Sequence, residues 1–182
     1  MMAAFGTAAQ ADDYAGLDYS LKTKQNSATG EKHDVYGVTV GHALAESLKA
    51  EVRMEDEVVH DPAKHEGLVQ AKGVYTIGTF SLVTPYLGAA TGYKSKATSN
   101  FSYYVAEAGV KIRVTDSVGL TLNSRLRSPY DESRMGTGNM YRTVENKATA
   151  TYKFTAHDSL GVSYAHEHGD SNYHTVGLVY NH

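Results

Sequence analysis

Residues 46–55 read Glu-Ser-Leu-Lys-Ala-Glu-Val-Arg-Met-Glu. An acidic residue and a serine open the stretch, and apolar and charged residues then alternate without interruption from Leu48 to Glu55. On a β-strand this alternation puts the apolar side chains on one face and the charges on the other, whereas on a helix the charges would be scattered around the cylinder. The stretch therefore predicts a turn followed by a two-faced strand.

The same turn-and-strand pattern recurs along the chain. A turn-like acidic or aromatic residue, then Ser, then Leu or Val, stands at Glu46-Ser47-Leu48, Phe80-Ser81-Leu82, Asp116-Ser117-Val118 and Asp158-Ser159-Leu160. The copies begin at positions 46, 80, 116 and 158, so they are 34 to 42 residues apart, which is the length of one long β-hairpin. This repeat predicts tight turns at one end of an up-and-down barrel.

Alternating segments between the turns predict about ten strands, each roughly 9 to 14 residues long. The least regular is the fifth, Thr84–Tyr93, where a bulge near Pro85 is expected, and a loop is expected from His60 to Gly67. A tilted strand needs about 9–11 residues to cross a bilayer, whereas globular strands have about 5 or 6. We therefore predict an all-β, antiparallel up-and-down transmembrane β-barrel of about ten strands, or alternatively eight, with tight periplasmic turns and short extracellular loops.

Composition excludes several classes of function. The chain has 182 residues, 41% apolar and 20% charged, with no cysteine and a formal net charge of −3. The length fits one domain, and the lack of cysteine excludes a disulfide scaffold, a thiolate metal site and a cysteine nucleophile. The charge balance gives no electrostatic case for binding nucleic acid.

The first eleven residues resemble the end of an export signal. Ala9-Gln10-Ala11 has the small-x-small pattern of a signal cleavage site, directly before Asp12 and Asp13. We expect residues 1–11 to be a remnant of a secretory signal and residues 12–182 to form a single barrel domain.

Tyrosines indicate which face of the barrel meets lipid. A soluble barrel turns its apolar rows inward, and a membrane barrel turns them outward. Tyrosines stand near the ends of the apolar rows, as in the aromatic girdles of membrane barrels: Tyr14, Tyr36, Tyr75, Tyr104, Tyr152 and Tyr180. This placement favours a membrane barrel, with a soluble ligand-binding barrel as an alternative.

Two short segments resemble known outer-membrane proteins. Thr84-Pro85-Tyr86-Leu87-Gly88 is similar to the Pro-Tyr-aliphatic-Gly strand of small OmpA-like and opacity-type barrels, and the segment from Val176 to His182 resembles the terminal strand of bacterial outer-membrane proteins. That family pattern usually closes on Phe or Trp, whereas this chain closes on His182. The resemblance implies the bacterial outer membrane, with its lipid and the barrel-insertion machinery as partners.

The polar rows are the candidate functional surface. Lumen-lining candidates are Lys22, Lys49, Arg53, Lys72, Lys111, Arg113, Arg125, Arg127, Lys147, Lys153, Glu51, Glu107 and Glu145, with Asp18, Glu55 and Glu57 on the same faces. Basic residues outnumber acidic ones in this set, so a stripe of them would favour anions. Inward Gly37, Gly41, Gly109 and Gly119 are expected to leave room for water. Alternatively, the charges pair across strands and hold the barrel closed.

Histidines provide weak candidates for a metal site. His166 and His168 share a face of the ninth strand and His174 lies across the hairpin, so their imidazoles could hold a metal, although all three are expected to point outward near a rim. His60, Asp61 and His65 form a second cluster in a predicted loop. We therefore predict no cofactor.

No spacing in the sequence pairs a nucleophile with a base, so we expect no enzyme. Three functions remain at this stage. They are a porin-like narrow channel for small solutes, a closed structural or adhesion barrel, and a soluble ligand-binding barrel.

Overall fold

The computed structural model describes residues 13–25, 31–60, 63–96, 100–131, 142–169 and 172–182. Ten strands account for most of them. They are β1 (Tyr14–Lys24), β2 (Lys32–Ala45), β3 (Leu48–His60), β4 (Ala63–Thr76), β5 (Val83–Ser95), β6 (Asn100–Arg113), β7 (Val118–Pro129), β8 (Thr143–Lys153), β9 (Ser159–His168) and β10 (Tyr173–Asn181).

The strands form one closed barrel in which every strand pairs antiparallel with its chain neighbours. Closure comes from β1 pairing with β10, where the Ala15 amide donates to the His182 carbonyl at 3.0 Å and the His182 amide donates to the Ala15 carbonyl at 2.8 Å. The predicted ten-stranded up-and-down barrel is confirmed. The described ranges contain no helix long and apolar enough to cross a membrane.

Strand register sets the width of the barrel. A row of paired residues that starts at Leu48 of β3 passes through β4 and onward to Lys32 of β2. His33 pairs with Val59, so Lys32 stands opposite His60, twelve residues along β3 from Leu48. Ten strands with this stagger tilt by about 40° and enclose a lumen only somewhat wider than that of an eight-stranded barrel.

The repeated Ser motif lies in turns at one end of the barrel, which we call the turn end; the opposite end is the loop end. In the β6–β7 turn, the amides of Ser117 and Val118 donate to the Thr115 hydroxyl at 3.2 and 3.0 Å. In the β8–β9 turn, the amide of Asp158 donates to the Thr155 hydroxyl at 2.8 Å. Side-chain oxygens thus satisfy amides that the strand ladder leaves unpaired.

Two local predictions were wrong. β5 pairs with β6 in unbroken register from Val83 to Ser95, so there is no bulge near Pro85. The misleading residue was Leu82, which belongs to the turn and not to the strand. The register shift that does occur lies in β2, between Ala43 and Ala45.

The predicted loop from His60 to Gly67 is instead largely strand, because β3 continues to His60 and β4 begins at Ala63. Val58 pairs with His65 there. Polar residues can continue a ladder beyond the apolar belt, since backbone pairing does not require apolar side chains.

Polarity is inverted relative to a soluble protein. Leu17, Met54 and Leu178 point outward and are 54%, 57% and 56% exposed. Lys94, Arg127 and Glu107 point inward and are only 5%, 6% and 9% exposed. The charged rows fill the centre and the aliphatic rows form an outer belt, so the soluble alternative is wrong.

Tyrosines edge this belt as predicted, with one exception. Tyr36, Tyr75, Tyr104 and Tyr152 are exposed on the outer surface, and Tyr36 packs against Tyr19 with ring centroids 5.3 Å apart. Tyr14 instead points into the lumen, where its hydroxyl donates to Glu51 at 2.5 Å. The alternation of β1 already indicated this, because Ala15 and Leu17 lie on the outer row and Tyr14 therefore falls on the inner one. The export-signal interpretation of residues 1–11 concerns residues outside the described ranges.

Candidate functional site: the charged lumen

All thirteen predicted lumen residues lie at inward-facing strand positions. Nine of them line a central cavity of about 200 Å³: Lys22, Arg53, Lys72, Arg125, Arg127, Lys147, Glu51, Glu107 and Glu145. The other four, Lys49, Lys111, Arg113 and Lys153, stand at the turn end, on the same alternation of their strands.

Towards the loop end, five charged residues form what we call the constriction ring: Lys94, Glu57, Lys22, Glu167 and Arg127. They alternate in charge and stand on β5, β3, β1, β9 and β7. Consecutive nitrogen–oxygen distances are 2.8, 3.8, 3.4 and 3.6 Å. Every pair bridges two strands that flank a common neighbour, so the chain of charges follows the wall around the lumen.

Further groups support the constriction ring. His33 Nδ1 lies 2.5 Å from Glu57 and its Nε2 lies 3.1 Å from Glu31. Lys94 also contacts Glu66 at 3.0 Å. The guanidinium of Arg127 lies 5.8 Å from the ring centroid of Tyr103, which is completely buried. A buried carboxylate is tolerated only when it is paired in this way.

Arg53 is the main cation in the middle of the lumen. Its two terminal nitrogens each lie 2.7 Å from an oxygen of Asp18, which is a bidentate pair, and its Nε bonds Glu55. Farther round the wall, Arg125 Nε lies 3.1 Å from Glu145.

Nearer the turn end, Lys72 bridges two carboxylates. Its ammonium lies 3.1 Å from Glu107 and 3.4 Å from Glu51. Tyr86 also donates to Glu107, at 3.1 Å. Both carboxylates are therefore fully engaged.

Inward glycines do not leave empty space, contrary to the prediction. The rings of Tyr14 and Tyr86 lie so close to Gly41 and Gly109 that a Cβ at either glycine would overlap them. At Gly37, the Asp18–Arg53 pair occupies the same place. Where the wall has no Cβ, an aromatic ring can lie flat against the backbone. These glycines thus keep the tyrosines against the wall instead of across the lumen.

Four inward side chains were not predicted from the sequence: Lys94, Glu66, Glu167 and His33. Lys94 follows the end of the predicted fifth strand at Tyr93, and Glu66 fell in the predicted loop from His60 to Gly67. Glu167 lies between His166 and His168, which were expected to point outward from the ninth strand, so alternation already put it on the inner face. Continued along each strand, the same alternation puts all four side chains on the inner face.

The histidine candidates for a metal site lie outside the lumen. His166 and His174 stack with centroids 4.8 Å apart and planes 15° apart, His168 lies 6.3 Å from His166, and Tyr164 bonds His174 Nδ1 at 2.6 Å. Within the described residues, no three His, Asp or Glu side chains are grouped to hold a metal. In the second cluster, His60 contacts Asp34 and His65 contacts Asp56, while Asp61 falls outside the described ranges.

Comparison with known proteins supports the fold class. The sequence matches no protein-family model and no curated protein. Its fold is similar to an outer-membrane channel of Pseudomonas putida F1, with a TM-score of 0.59 and 10% identity over 93% of this chain and 94% of that one. It is also similar to the β domain of the Bordetella autotransporter BrkA, with a TM-score of 0.55 and 11% identity over 93% and 98% of the two chains.

A third similar structure is Neisserial surface protein A, with a TM-score of 0.48 and 16% identity over 93% and 95% of the chains. The fold is that of the bacterial outer-membrane β-barrels, as the two short sequence resemblances implied. At these identities the likeness concerns the fold alone.

Proposed function

We propose that this protein is a non-enzymatic, narrow pore for small solutes in the bacterial outer membrane. The observation that carries the proposal is a charged, cavity-bearing lumen inside a barrel whose outer face is apolar. A lumen lined by charges of both signs can replace part of the hydration shell of a passing solute, which an apolar interior cannot do.

The routes of the ion pairs support a pore. Arg53–Asp18, Lys72–Glu107 and every pair of the constriction ring join strands no more than two apart, whereas a pair across the barrel would join strands five apart. Tyr14 and Tyr86 also lie against the wall. Because these side chains lie along the wall, the central axis of the lumen is the least obstructed route through the barrel.

A closed structural barrel is the second candidate. Lys94 and Arg127 of the constriction ring are almost fully buried, and the cavity is small. In this alternative, the ring serves only to brace the wall.

Single-channel recording separates the two candidates. Protein refolded in detergent and shown to be folded by heat-modifiable gel mobility should give small, discrete current steps in planar bilayers. Glu57→Ala/Lys94→Ala removes both partners of one ring contact, so it should enlarge the steps without leaving that contact's partner charge behind. Lys32→Ala/Glu46→Ala, which removes one charge of each sign at exposed positions outside the ring, is the matched control and should conduct like the wild type.

Folded wild-type protein that gives no steps, together with a ring variant that also gives none, would reject the pore and favour the structural barrel.

The proposal also includes the partners of the barrel. We expect outer-membrane lipid around the belt and recognition of β10 by the barrel-insertion machinery, so the protein should fractionate with outer membranes. Recovery in the inner membrane or the periplasm would contradict this.

A further inference from the structure

We propose that the turn-end opening of the lumen binds small multivalent oxyanions. The inference rests on the proposed pore and names its solute class. Four cations, which we call the basic mouth, carry it: Lys49, Lys111, Arg113 and Lys153. Lys49 is the second residue of β3, Lys111 and Arg113 are among the last three of β6, and Lys153 ends β8.

The basic mouth differs from the constriction ring in having no counter-charge. Among the described residues, no carboxylate oxygen lies within 4.0 Å of any of its four cations, whereas each cation of the ring has at least one such partner. Arg125 and Arg127, which the sequence indicated as part of a basic stripe, are paired with Glu145 and Glu167. Of the ten predicted lumen cations, all of which stand on described strands, five have no carboxylate oxygen within 4.0 Å: the four of the basic mouth and Lys147 in the central cavity. Most of the unpaired positive charge therefore lies at the turn end.

The carboxylates nearest to the basic mouth are bound to other groups. Glu51 and Glu107 are engaged by Lys72 and by the hydroxyls of Tyr14 and Tyr86. In the adjacent turns, Asp158 accepts from Thr155 and Tyr180 and contacts His182. The remaining turn acids, Glu46 and Asp116, are exposed and beyond salt-bridge distance of the four cations.

Two tyrosines hold part of the basic mouth in position. The Lys49 ammonium lies 5.3 Å from the ring centroid of Tyr14, and the Lys111 ammonium lies 5.6 Å from that of Tyr86. A cation over an aromatic face is stabilised without being neutralised. The two lysines are therefore held at the opening without a carboxylate beside them.

This chemistry selects the class of ligand. Three ammonium groups and one guanidinium repel one another, and an anion with two or more charges relieves that repulsion. Guanidinium also matches the paired oxygens of a carboxylate or a phosphate. Dicarboxylates, tricarboxylates and phosphate esters have both features, whereas chloride carries a single charge and has no oxygen atoms.

Sided block of the pore tests the site. Citrate and inorganic phosphate, used as separate probes, should each reduce the current at about tenfold lower concentration from the turn side than from the loop side. In Lys49→Gln/Lys111→Gln/Lys153→Gln that difference should disappear. Lys32→Gln/Lys64→Gln, which removes lysines at the loop end, should preserve it.

Binding can also be measured without any current. In detergent at constant ionic strength, citrate should raise the unfolding temperature of the wild type and of the loop-end control above the value in chloride, but not that of the triple variant. Stabilisation by citrate in a protein that does not conduct would refute the pore and keep the site. Conduction with equal block from both sides, and no stabilisation, would refute the site and keep the pore.

Discussion

Arg53 is the charged side chain with the most contacts in the middle of the lumen. It makes a bidentate pair with Asp18, bonds Glu55 and donates to the Thr39 hydroxyl at 3.1 Å. Planar guanidinium suits a site that demands several bonds in fixed directions. The inward orientation of Arg53 was predictable from alternation, but its partners on β1 and β2 were not.

Arg53→Gln should lower the free energy of unfolding by about 1–3 kcal/mol, because Asp18 would remain in the lumen without its cation. In Arg53→Gln/Asp18→Asn, part of this loss should be recovered, and a double-mutant cycle from urea unfolding in lipid vesicles measures it. Arg113→Gln, at the basic mouth, should cost less than about 0.5 kcal/mol. Equal losses for Arg53→Gln and Arg113→Gln would contradict the assignment.

Asp158 links the β8–β9 turn to the end of the chain. Hydrogen bonds from Thr155, Tyr180 and His182 hold the pKa of Asp158 well below its usual range. A carboxyl whose pKa is lowered by folding contributes stability above its unfolded pKa of about 3.9 and loses it as the pH falls towards the folded value.

Asp158→Asn should therefore be less stable than the wild type at neutral pH, and the difference should shrink below about pH 4. Urea unfolding at several pH values measures the difference. Asp116→Asn, in the corresponding position of the β6–β7 turn, is the control and should match the wild type throughout. A difference for Asp158→Asn that grows towards acid pH would contradict the role of its charge.

At the level of secondary-structure elements, the four Ser motifs lie at the same end of the barrel but do not share one backbone conformation. Ser81 has a φ of 58°, in the left-handed region, whereas the corresponding Ser117 does not have a positive φ. The motif therefore marks where a strand pair turns without fixing the turn type. In the β4–β5 connection, Phe80 pairs with Val83, so only Ser81 and Leu82 reverse the chain.

Substitutions at the two serines should expose this difference. Ser81→Val should destabilise the barrel by about 1–2 kcal/mol more than Ser117→Val, because a β-branched residue resists positive φ. Ser81→Gly should be neutral or slightly stabilising. Urea unfolding of the three variants tests this, and equal costs for the two valine substitutions would refute it.

Strand existence was more predictable than strand ends. Alternation identified all ten strands, since each has one face on lipid and one on the lumen. Alternation failed at Leu82, where a turn has already begun. It also failed over residues 60–67, where the apolar belt has ended but strand pairing continues. Beyond the belt, the two faces no longer differ in polarity, so the sequence loses the contrast that reveals a strand.

At the scale of the whole molecule, one strand register fixes both the apolar belt and the charged lumen. Leu178 and Val179 are neighbours on β10, yet Leu178 faces outward and Val179 pairs with Asp18 of the inner row. One residue of displacement along a strand exchanges the two environments.

Leu178→Lys should reduce the free energy of folding into lipid vesicles by about 2–4 kcal/mol, because it places a charge in the middle of the belt. Val179→Lys puts the same charge beside Asp18 and should cost much less. Urea titration with tryptophan-free detection, such as gel mobility, gives both values. A larger loss for Val179→Lys would mean that the two faces have been assigned the wrong way round.

The sequence alone determined that the chain forms ten two-faced strands joined by tight turns at one end, because alternation and turn chemistry are local properties. The tertiary structure decided which charges meet. Lys22, Glu57 and Glu167 lie far apart in the chain and come together only when β1 closes between β2 and β10. Barrel stagger sets these contacts, and it depends on all ten registers together, so no single segment encodes the constriction ring or the unpaired charge of the basic mouth.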